Sequence, residues 1–229
     1  MTHSMLIQID DLTRRTTQRN DVSRVLLDDV SLEIDEGQRI GLVGRSGSGK
    51  SCLMRAIAML DRCESGEVRF RGERIVGDRV PSYRRQVVYL PQRPAFVLSS
   101  VRQNLEAPFR LSIAETELDE TRILGWLSDL GRSPDLLEQS VEQLSGGEQQ
   151  VIALLRALSV SPTVILFDEP TASLDAVTGK QFENLVEGWI REDLSRSILW
   201  TSHDEDQIQR MTSQTLRMND GRLLGATDE

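Results

Sequence analysis

The stretch GRSGSGKS at residues 44–51 combines glycines, hydroxyl side chains and a lysine in the pattern G-x-x-x-x-G-K-S/T of a phosphate-binding loop. Glycines let successive backbone N–H groups converge on phosphate oxygens, and a following helix adds its positive N-terminal dipole. Lys50 would reach the outer phosphates, and the Ser51 hydroxyl would bind Mg²⁺. A glycine-rich turn that precedes a helix by chance is the alternative, but a strand pattern before the loop and a helical pattern after it favour phosphate binding. The residues predicted to contact phosphate are Gly44, Arg45, Ser46, Gly47, Ser48, Gly49, Lys50, Ser51 and Cys52.

A second stretch, VILFDE at 164–169, is an apolar run that ends in two acidic residues. Such a run predicts a strand buried on both faces of a parallel sheet, and ligands bind at the carboxyl ends of these strands. Asp168 is therefore the expected support for Mg²⁺, and Glu169 is placed to activate a water molecule as a general base. A solvated strand end is the alternative, and the phosphate-binding loop makes it the weaker one.

A third stretch, LSGGEQQ at 144–150, is followed by an apolar helical stripe at Val151, Leu154, Leu155 and Leu158. Two glycines before a helix predict a helix N-terminus with exposed N–H groups, and hence a second anion site. The structural alternative is a flexible N-cap turn.

In this order, the motifs resemble those of the ATP-binding cassette (ABC) family, whose signature reads LSGGQ or LSGGE. The resemblance implies an α/β fold: a P-loop NTPase (RecA-like) core with an N-terminal antiparallel β subdomain and an inserted α-helical subdomain at 93–158, all in one domain over 1–229. It also implies ATP and Mg²⁺ as ligands.

The resemblance extends to roles for individual residues. Gln92 would contact Mg²⁺ together with Ser51 and Asp168, and His203 would lie near the γ-phosphate. The residues implied in catalysis are Glu169, His203, Gln92 and Lys50. In the head-to-tail homodimer of the family, Asp175 reaches the opposing subunit, and the signature residues Ser145, Gly146, Gly147 and Glu148 close over the ATP that the other subunit holds.

The chain also departs from the family pattern. The stacking aromatic that the family often places near 14–17 is missing, so either Arg14 or Arg15 stacks on adenine instead or the base is recognised only weakly. Val151 replaces the usual arginine after the signature, and we expect it to affect packing rather than chemistry. Cys52 stands where threonine is common, and we expect it to be tolerated without thiol catalysis. The segment 137–143 lacks the exporter-type motif.

Composition excludes several classes of protein. The chain has 229 residues, a formal net charge of −9 and two cysteines. An acidic chain is a poor nucleic-acid binder, and two cysteines are too few for a disulfide framework. No apolar run approaches the ~20 residues that span a bilayer, and the N-terminal residues carry no secretory pattern. We therefore expect a cytoplasmic protein with no nucleic-acid partner.

Strand and helix patterns alternate at both ends of the chain, around a helical region between about 93 and 159, which predicts an α/β fold. Strands are expected at 30–34, 39–43, 87–90, 164–167 and 197–201, and a hairpin at 214–224 with its turn at Asn219–Gly221. Helical stripes are expected at Leu53, Ile57 and Leu60, at Ile123 to Leu130, and at Phe182 to Ile190.

An ABC ATPase without a membrane span acts on a separate protein, and the resemblance implies a multi-span membrane permease with this chain peripheral on the inner face of the membrane. The segment 93–109 would receive the permease. Residues 83–86 and 199–208 look like stretches in the ATPase subunits of bacterial iron exporters. A soluble ABC-type ATPase not coupled to transport is the alternative; a small-molecule kinase would leave the stretch at 144–150 and Asp175 unexplained.

Overall fold

The computed structural model describes residues 4–17, 23–114 and 116–224. The predicted single domain over 1–229 therefore includes positions 1–3, 18–22, 115 and 225–229, which lie outside the described residues. The chain divides into two compact units. The first comprises residues 1–89, 163–168 and 195–229, and the second comprises residues 90–162 and 169–194. The proposed limits of the helical subdomain, 93–158, stay a prediction.

The first unit contains two sheets. Its strands are β1 (Met5–Thr17), β2 (Ser23–Asp35), β3 (Arg39–Val43), β4 (Ser65–Phe70), β5 (Glu73–Arg74), β6 (Val87–Leu90), β7 (Val164–Asp168), β8 (Ser197–Thr201), β9 (Gln214–Asn219) and β10 (Arg222–Leu224), and its helices are α1 (Lys50–Ile57), α2 (Arg79–Gln86) and α7 (Glu205–Met211). Strand β6 ends on Leu90, the first residue of the second unit.

One sheet is antiparallel with strand order β2-β1-β4-β5, and the other has the order β10-β9-β3-β8-β7-β6. In the larger sheet, β3 runs parallel to β8 and to β9, and β7 runs parallel to β8, so the carboxyl ends of these four strands meet at one edge. Strands β7 and β8 are buried along their whole length, as expected of parallel strands covered on both faces. The predicted α/β class and the antiparallel N-terminal sheet are confirmed.

The prediction that Leu60 continues the stripe of α1 is wrong. The helix ends at Ile57, Met59 adopts a left-handed backbone with φ of +56°, and Leu60 is 42% exposed. The helix ends in a local C-cap across the left-handed Met59: the Met59 N–H donates to the Ala56 carbonyl and the Leu60 N–H to the Arg55 carbonyl, both at 2.9 Å. The buried Tyr83 hydroxyl donates to the Ile57 carbonyl at 2.7 Å and so satisfies a further carbonyl at this end.

The second unit is helical. It contains α3 (Val101–Glu106), α4 (Glu120–Asp129), α5 (Gly146–Ser159) and α6 (Ala176–Glu192), with short 3₁₀ turns at Ala107–Arg110, Pro134–Glu138 and Val141–Gln143. The predicted stripes are buried: Ile123 and Leu127 on α4, and Val151, Leu154, Leu155 and Leu158 on α5. Val151 is fully buried, as expected of a residue that serves packing. In the described ranges, no helix has both the length and the hydropathy that a membrane span requires.

Asn104 organises the segment that leads into α3. Its buried side chain accepts hydrogen bonds from the backbone N–H groups of Val97 and Leu98 at 3.1 and 3.3 Å, and donates to the carbonyls of Leu98 and Ser100 at 2.7 and 2.8 Å. Because these backbone groups are held from inside, the Val97 side chain is presented to solvent, with 82% of its surface exposed.

Candidate nucleotide-binding and catalytic site

The loop at 44–49 joins β3 to α1, and its glycines are required by close packing. A Cβ on Gly44 would lie 2.2 Å from the Met218 carbonyl oxygen, and one on Gly49 would lie 2.7 Å from the Leu26 carbonyl oxygen. Both residues also have positive φ, as does Gly47, where a Cβ would make only an ordinary contact of 3.7 Å with the Arg24 guanidinium. The glycines at 44 and 49 therefore let the loop lie directly against neighbouring backbone, which no other residue type allows.

Lys50 is positioned inside this loop. Only 8% of its surface is exposed, and its ammonium group donates hydrogen bonds to the carbonyls of Gly44 at 2.7 Å and Arg45 at 3.1 Å. The Ser48 hydroxyl is buried and finds no partner among the described residues. Gly49, which has no side chain, is the N-cap of α1, so the first N–H groups of the helix are not capped by it. A held cation, an unpaired hydroxyl and uncapped N–H groups fit a phosphate group.

Cys52 is half-buried, and burial raises the pKa of its thiol, which keeps the thiol protonated and unreactive. The sulfur accepts a hydrogen bond from Arg14 at 3.4 Å. Arg14 also forms an ion pair with Asp61, which Arg55 binds through two further hydrogen bonds of 2.8 Å. Of the two arginines considered for stacking on adenine, Arg14 is therefore engaged by a carboxylate.

Asp168 ends β7 as a buried carboxylate. Its Oδ2 accepts a hydrogen bond from the Tyr89 hydroxyl at 2.8 Å, and its Oδ1 accepts one from the Thr201 hydroxyl at 3.2 Å. Burial, together with the neighbouring Asp168 charge, raises the pKa of Tyr89, so the phenol remains a donor. Sequence reasoning missed both partners, although each lies near the end of a strand that flanks β7.

No group of three or more His, Cys, Asp or Glu residues in the described ranges could hold a metal ion. Asp168 and the exposed Ser51 hydroxyl offer hard oxygen ligands of the kind that Mg²⁺ accepts, with the remaining positions left to water and phosphate oxygens. The donor set therefore suits an ion that arrives with a phosphate substrate.

His203 follows β8 and is exposed. It lines a cavity of about 710 Å³ whose wall also includes Gly44 and Arg45, the first residues of the phosphate-binding loop. The first unit thus brings the predicted histidine and the predicted loop to one cavity.

In the second unit, the two predicted catalytic residues Gln92 and Glu169 contact each other. The Gln92 amide donates a hydrogen bond of 2.7 Å to the Glu169 carboxylate. Glu169 has a left-handed backbone with φ of +48°, which is uncommon for a residue with a side chain. Non-glycine residues in such conformations cluster at functional sites, where the surrounding structure offsets their cost.

The signature residues form the N-terminus of α5. Ser145 is the N-cap: its hydroxyl accepts a hydrogen bond from the Glu148 N–H at 3.2 Å, while the Glu148 carboxylate accepts from the Ser145 hydroxyl at 2.7 Å and from its N–H at 2.9 Å. These bonds lower the pKa of Glu148. The N-cap turn considered as the structural alternative is therefore present, and it leaves Gly146 exposed at the helix N-terminus.

Asp175 lies on a loop that contacts the signature. It caps α6 through hydrogen bonds from the N–H groups of Val177 and Thr178, both at 3.0 Å, which lower the pKa of its carboxyl group. The residue two positions before it, Ser173, donates a hydrogen bond to the Gly146 carbonyl at 3.4 Å. The loop that carries Asp175 thus packs against the signature.

The loop packing predicts unequal effects of two glycine substitutions. Gly44→Ala should lower the free energy of unfolding by about 3 kcal/mol, because its methyl group meets a backbone carbonyl and its φ is unfavourable. Gly47→Ala is the matched control, since it adds strain from φ but its methyl group would meet nothing closer than 3.7 Å, and it should lower the free energy of unfolding by only about 1 kcal/mol. Urea unfolding of both variants measures the difference; equal losses would show that close packing at Gly44 is unimportant.

Comparison with known proteins places this geometry in a family. The family model described as ABC transporter matches residues 27–172. The molybdenum import ATP-binding protein ModC of Thiobacillus denitrificans is 38% identical over 201 residues, which cover 85% of this chain and 53% of that protein. The sulfate/thiosulfate import ATP-binding protein CysA of Bradyrhizobium diazoefficiens is 34% identical, with coverage of 86% and 58%. The chain spans about half the length of these curated relatives.

Solved structures agree. A dimeric ATP-binding cassette in a post-hydrolysis state, bound to ADP and Pi, superimposes with a TM-score of 0.83 and 27% identity over 96% of this chain and 97% of that one. A dimeric bacterial ABC transporter cassette superimposes with a TM-score of 0.84 and 28% identity, over 96% and 97% of the two chains. Because the family model matches more than half of the chain, and these cassettes share its fold from end to end, the chain belongs to the ABC transporter family as one of its ATP-binding cassettes.

Proposed function

We propose that the chain binds ATP with Mg²⁺ and hydrolyses it to ADP and phosphate. The observation that carries this proposal is the buried Lys50, held inside a loop whose glycines pack against neighbouring backbone. Its ammonium group has three N–H donors, and two of them bind loop carbonyls. The third donor can bind a phosphate oxygen, and phosphate oxygens can also replace the two carbonyls, so the cation is already in place for a phosphate. Ser51, Gln92 and Asp168 are the proposed Mg²⁺ ligands; the ion would neutralise charge on the phosphates.

Glu169 is the proposed general base. It would take a proton from a water molecule as the water oxygen forms a bond to the γ-phosphorus, and the bond from that phosphorus to the bridging oxygen breaks to release ADP. The hydrogen bond from Gln92 orients the Glu169 carboxylate. His203 would donate to the γ-phosphate as charge develops on it.

A homodimer is part of this proposal. Residues Ser145, Gly146, Gly147 and Glu148 of one protomer would close over ATP on the P-loop of the other, and Asp175 would contact the partner protomer. The exposed N-terminus of α5 at Gly146 supports this role, since helix N-termini bind phosphate through their N–H groups and dipole.

The role of Glu169 predicts a trapped dimer. Glu169→Gln should keep ATP binding but lower turnover by about 100-fold or more, because it removes a general base. The closed dimer should then persist, which size-exclusion chromatography with and without ATP would detect. Glu142→Gln, which makes the same change on an exposed residue outside the site, should behave as wild type. A monomeric Glu169→Gln protein with normal turnover would contradict the role.

The shared site predicts rescue between two inactive variants. Lys50→Ala should abolish nucleotide binding, and Ser145→Ala should reduce hydrolysis while the monomer still binds ATP. Mixing the two should restore activity, because a mixed dimer retains one intact site; steady-state ATPase assays over a range of mixing ratios measure it.

The control for this experiment is Ser100→Ala. Ser100 caps α3 in a capping box with Gln103, as Ser145 caps α5 with Glu148, so each substitution should cost about 1 kcal/mol of stability. Only the Ser145 variant should lose activity. Equal loss in both variants, or no rescue on mixing, would contradict a site shared between protomers.

We further propose that the cassette drives a multi-span membrane permease at the cytoplasmic face of the membrane. The curated relatives are named as ATP-binding proteins for import, and the exposed Val97 and Leu98 supply an apolar docking surface next to Gln92 in the sequence. Arg156 stabilises this segment: it donates to the Ala95 carbonyl at 3.2 Å and lies 5.2 Å from the Phe96 ring centroid. The predicted likeness to iron exporters stays a prediction.

The docking surface predicts a separation of activities. Val97→Asp should reduce co-purification of a multi-span protein from solubilised membranes by about tenfold or more, because it places a charge in an apolar contact, while ATP hydrolysis by the isolated chain continues. Leu194→Asp, at another exposed apolar position in the same unit, is the control. If no multi-span protein is recovered with either wild type or control, the soluble, uncoupled ATPase becomes the better description.

A further inference from the structure

The cavity of about 710 Å³ beside the P-loop contains a guanidinium group, that of Arg217, which the proposed hydrolysis does not use. Its wall includes Arg45 from the loop, His203 after β8 and Arg217 from β9, with Glu205 as the one carboxylate among its lining residues. The chain as a whole has a net charge of −9, whereas this cavity has two guanidinium groups and a single carboxylate on its wall.

Neither of these guanidinium groups has an ion-pair or hydrogen-bond partner in the described part of the chain. Arg222, on the adjacent strand β10, behaves differently, because it binds the Asp28 carboxylate at 2.6 Å. Uncommitted guanidinium groups that line a cavity are available to an anion. Arginine presents its donors in a planar fork that matches the oxygens of a phosphate group.

The register of the sheet places Arg217 next to the loop. Arg217 on β9 pairs with Val43 on β3, and Val43 is the residue directly before Gly44. The next residue, Met218, is buried and contributes the carbonyl against which Gly44 packs. Successive strand residues face opposite sides, so a buried Met218 turns Arg217 outward into the cavity.

We propose that this cavity binds the orthophosphate released by hydrolysis, with Arg217 as a binding residue outside the loop. This inference rests on the proposed function, since the phosphate is a product of the proposed ATP hydrolysis. Once the bond to the bridging oxygen has broken and ADP remains on the loop, the free phosphate passes from the neighbourhood of His203 to Arg45 and Arg217. The volume leaves space for the anion and its bound water.

Equilibrium dialysis of radiolabelled inorganic phosphate against the chain saturated with Mg²⁺ and ADP tests the site. Wild type should bind one phosphate per chain, and Arg217→Gln should weaken that binding about tenfold or more, because it removes a charge-assisted contact. Arg217→Lys, which keeps the charge but loses the fork, should lie between them. Arg62→Gln removes an exposed arginine elsewhere in the same unit and should match wild type.

Four results would overturn the proposal. The wild type could take up no phosphate, Arg217→Gln could bind phosphate as tightly as the wild type, or Arg217→Lys could bind it as weakly as Arg217→Gln. An equal loss of binding in Arg62→Gln would show that net charge alone determines phosphate binding. Labelled ADP measured in the same cells shows whether the variants are folded. Failure of the wild type to bind ADP would overturn the proposed function instead, and phosphate uptake that still depended on Arg217 would support the cavity as an oxyanion site.

A second arm asks whether the bound phosphate is the reaction product rather than phosphate from the medium. Phosphate release during a single ATP turnover, followed with a fluorescent phosphate sensor, should change several-fold in Arg217→Gln while ADP release does not. An unchanged release rate would show that the product leaves by another route, and would overturn the proposed source of the anion.

Discussion

The site depends on how closely the P-loop backbone lies against its neighbours. Gly44 packs on the Met218 carbonyl and Gly49 on the Leu26 carbonyl, at distances that exclude any side chain. This packing fixes the course of the chain between β3 and α1, and Lys50 is then held from within the loop by carbonyls of the loop itself. The lysine is thus placed before any phosphate arrives, so less ordering entropy is lost on binding.

The acidic residue at the end of β7 is also held in place by its neighbours. Asp168 is a buried charge, which is costly without partners, and hydroxyl donors from the strands on either side of β7 offset that cost. The next residue turns into a left-handed conformation, so two acidic residues adjacent in sequence take different environments. Asp168 is held by two hydroxyl donors of the sheet, whereas Glu169 accepts a hydrogen bond from the Gln92 amide on the segment after β6.

Much of this could be predicted from the sequence, because continuous apolar runs and glycine patterns are local. The strands at 39–43 and 197–201 were predicted with the bounds that the structure has. The donors to Asp168 and the pairing of Arg14 with Asp61 could not be predicted, since each depends on residues that are remote in sequence. Leu60 fitted the helical period and still lies outside the helix, because Met59 takes a left-handed conformation that is unusual for a residue other than glycine and that the apolar period does not show.

The N-terminal N–H groups of α1 and α5 are capped differently, and this difference predicts the order of steps in the proposed reaction. The N-cap of α1 is a glycine without a side chain, so its N–H groups are open to phosphate. At α5, the Glu148 carboxylate already accepts both donors of Ser145, and its charge would repel a phosphate. In the proposed reaction, a phosphate group would therefore bind α1 before α5. The α5 site would gain its ligand when one protomer carries a bound nucleotide to the other, so the proposal orders ATP binding before closure of the dimer.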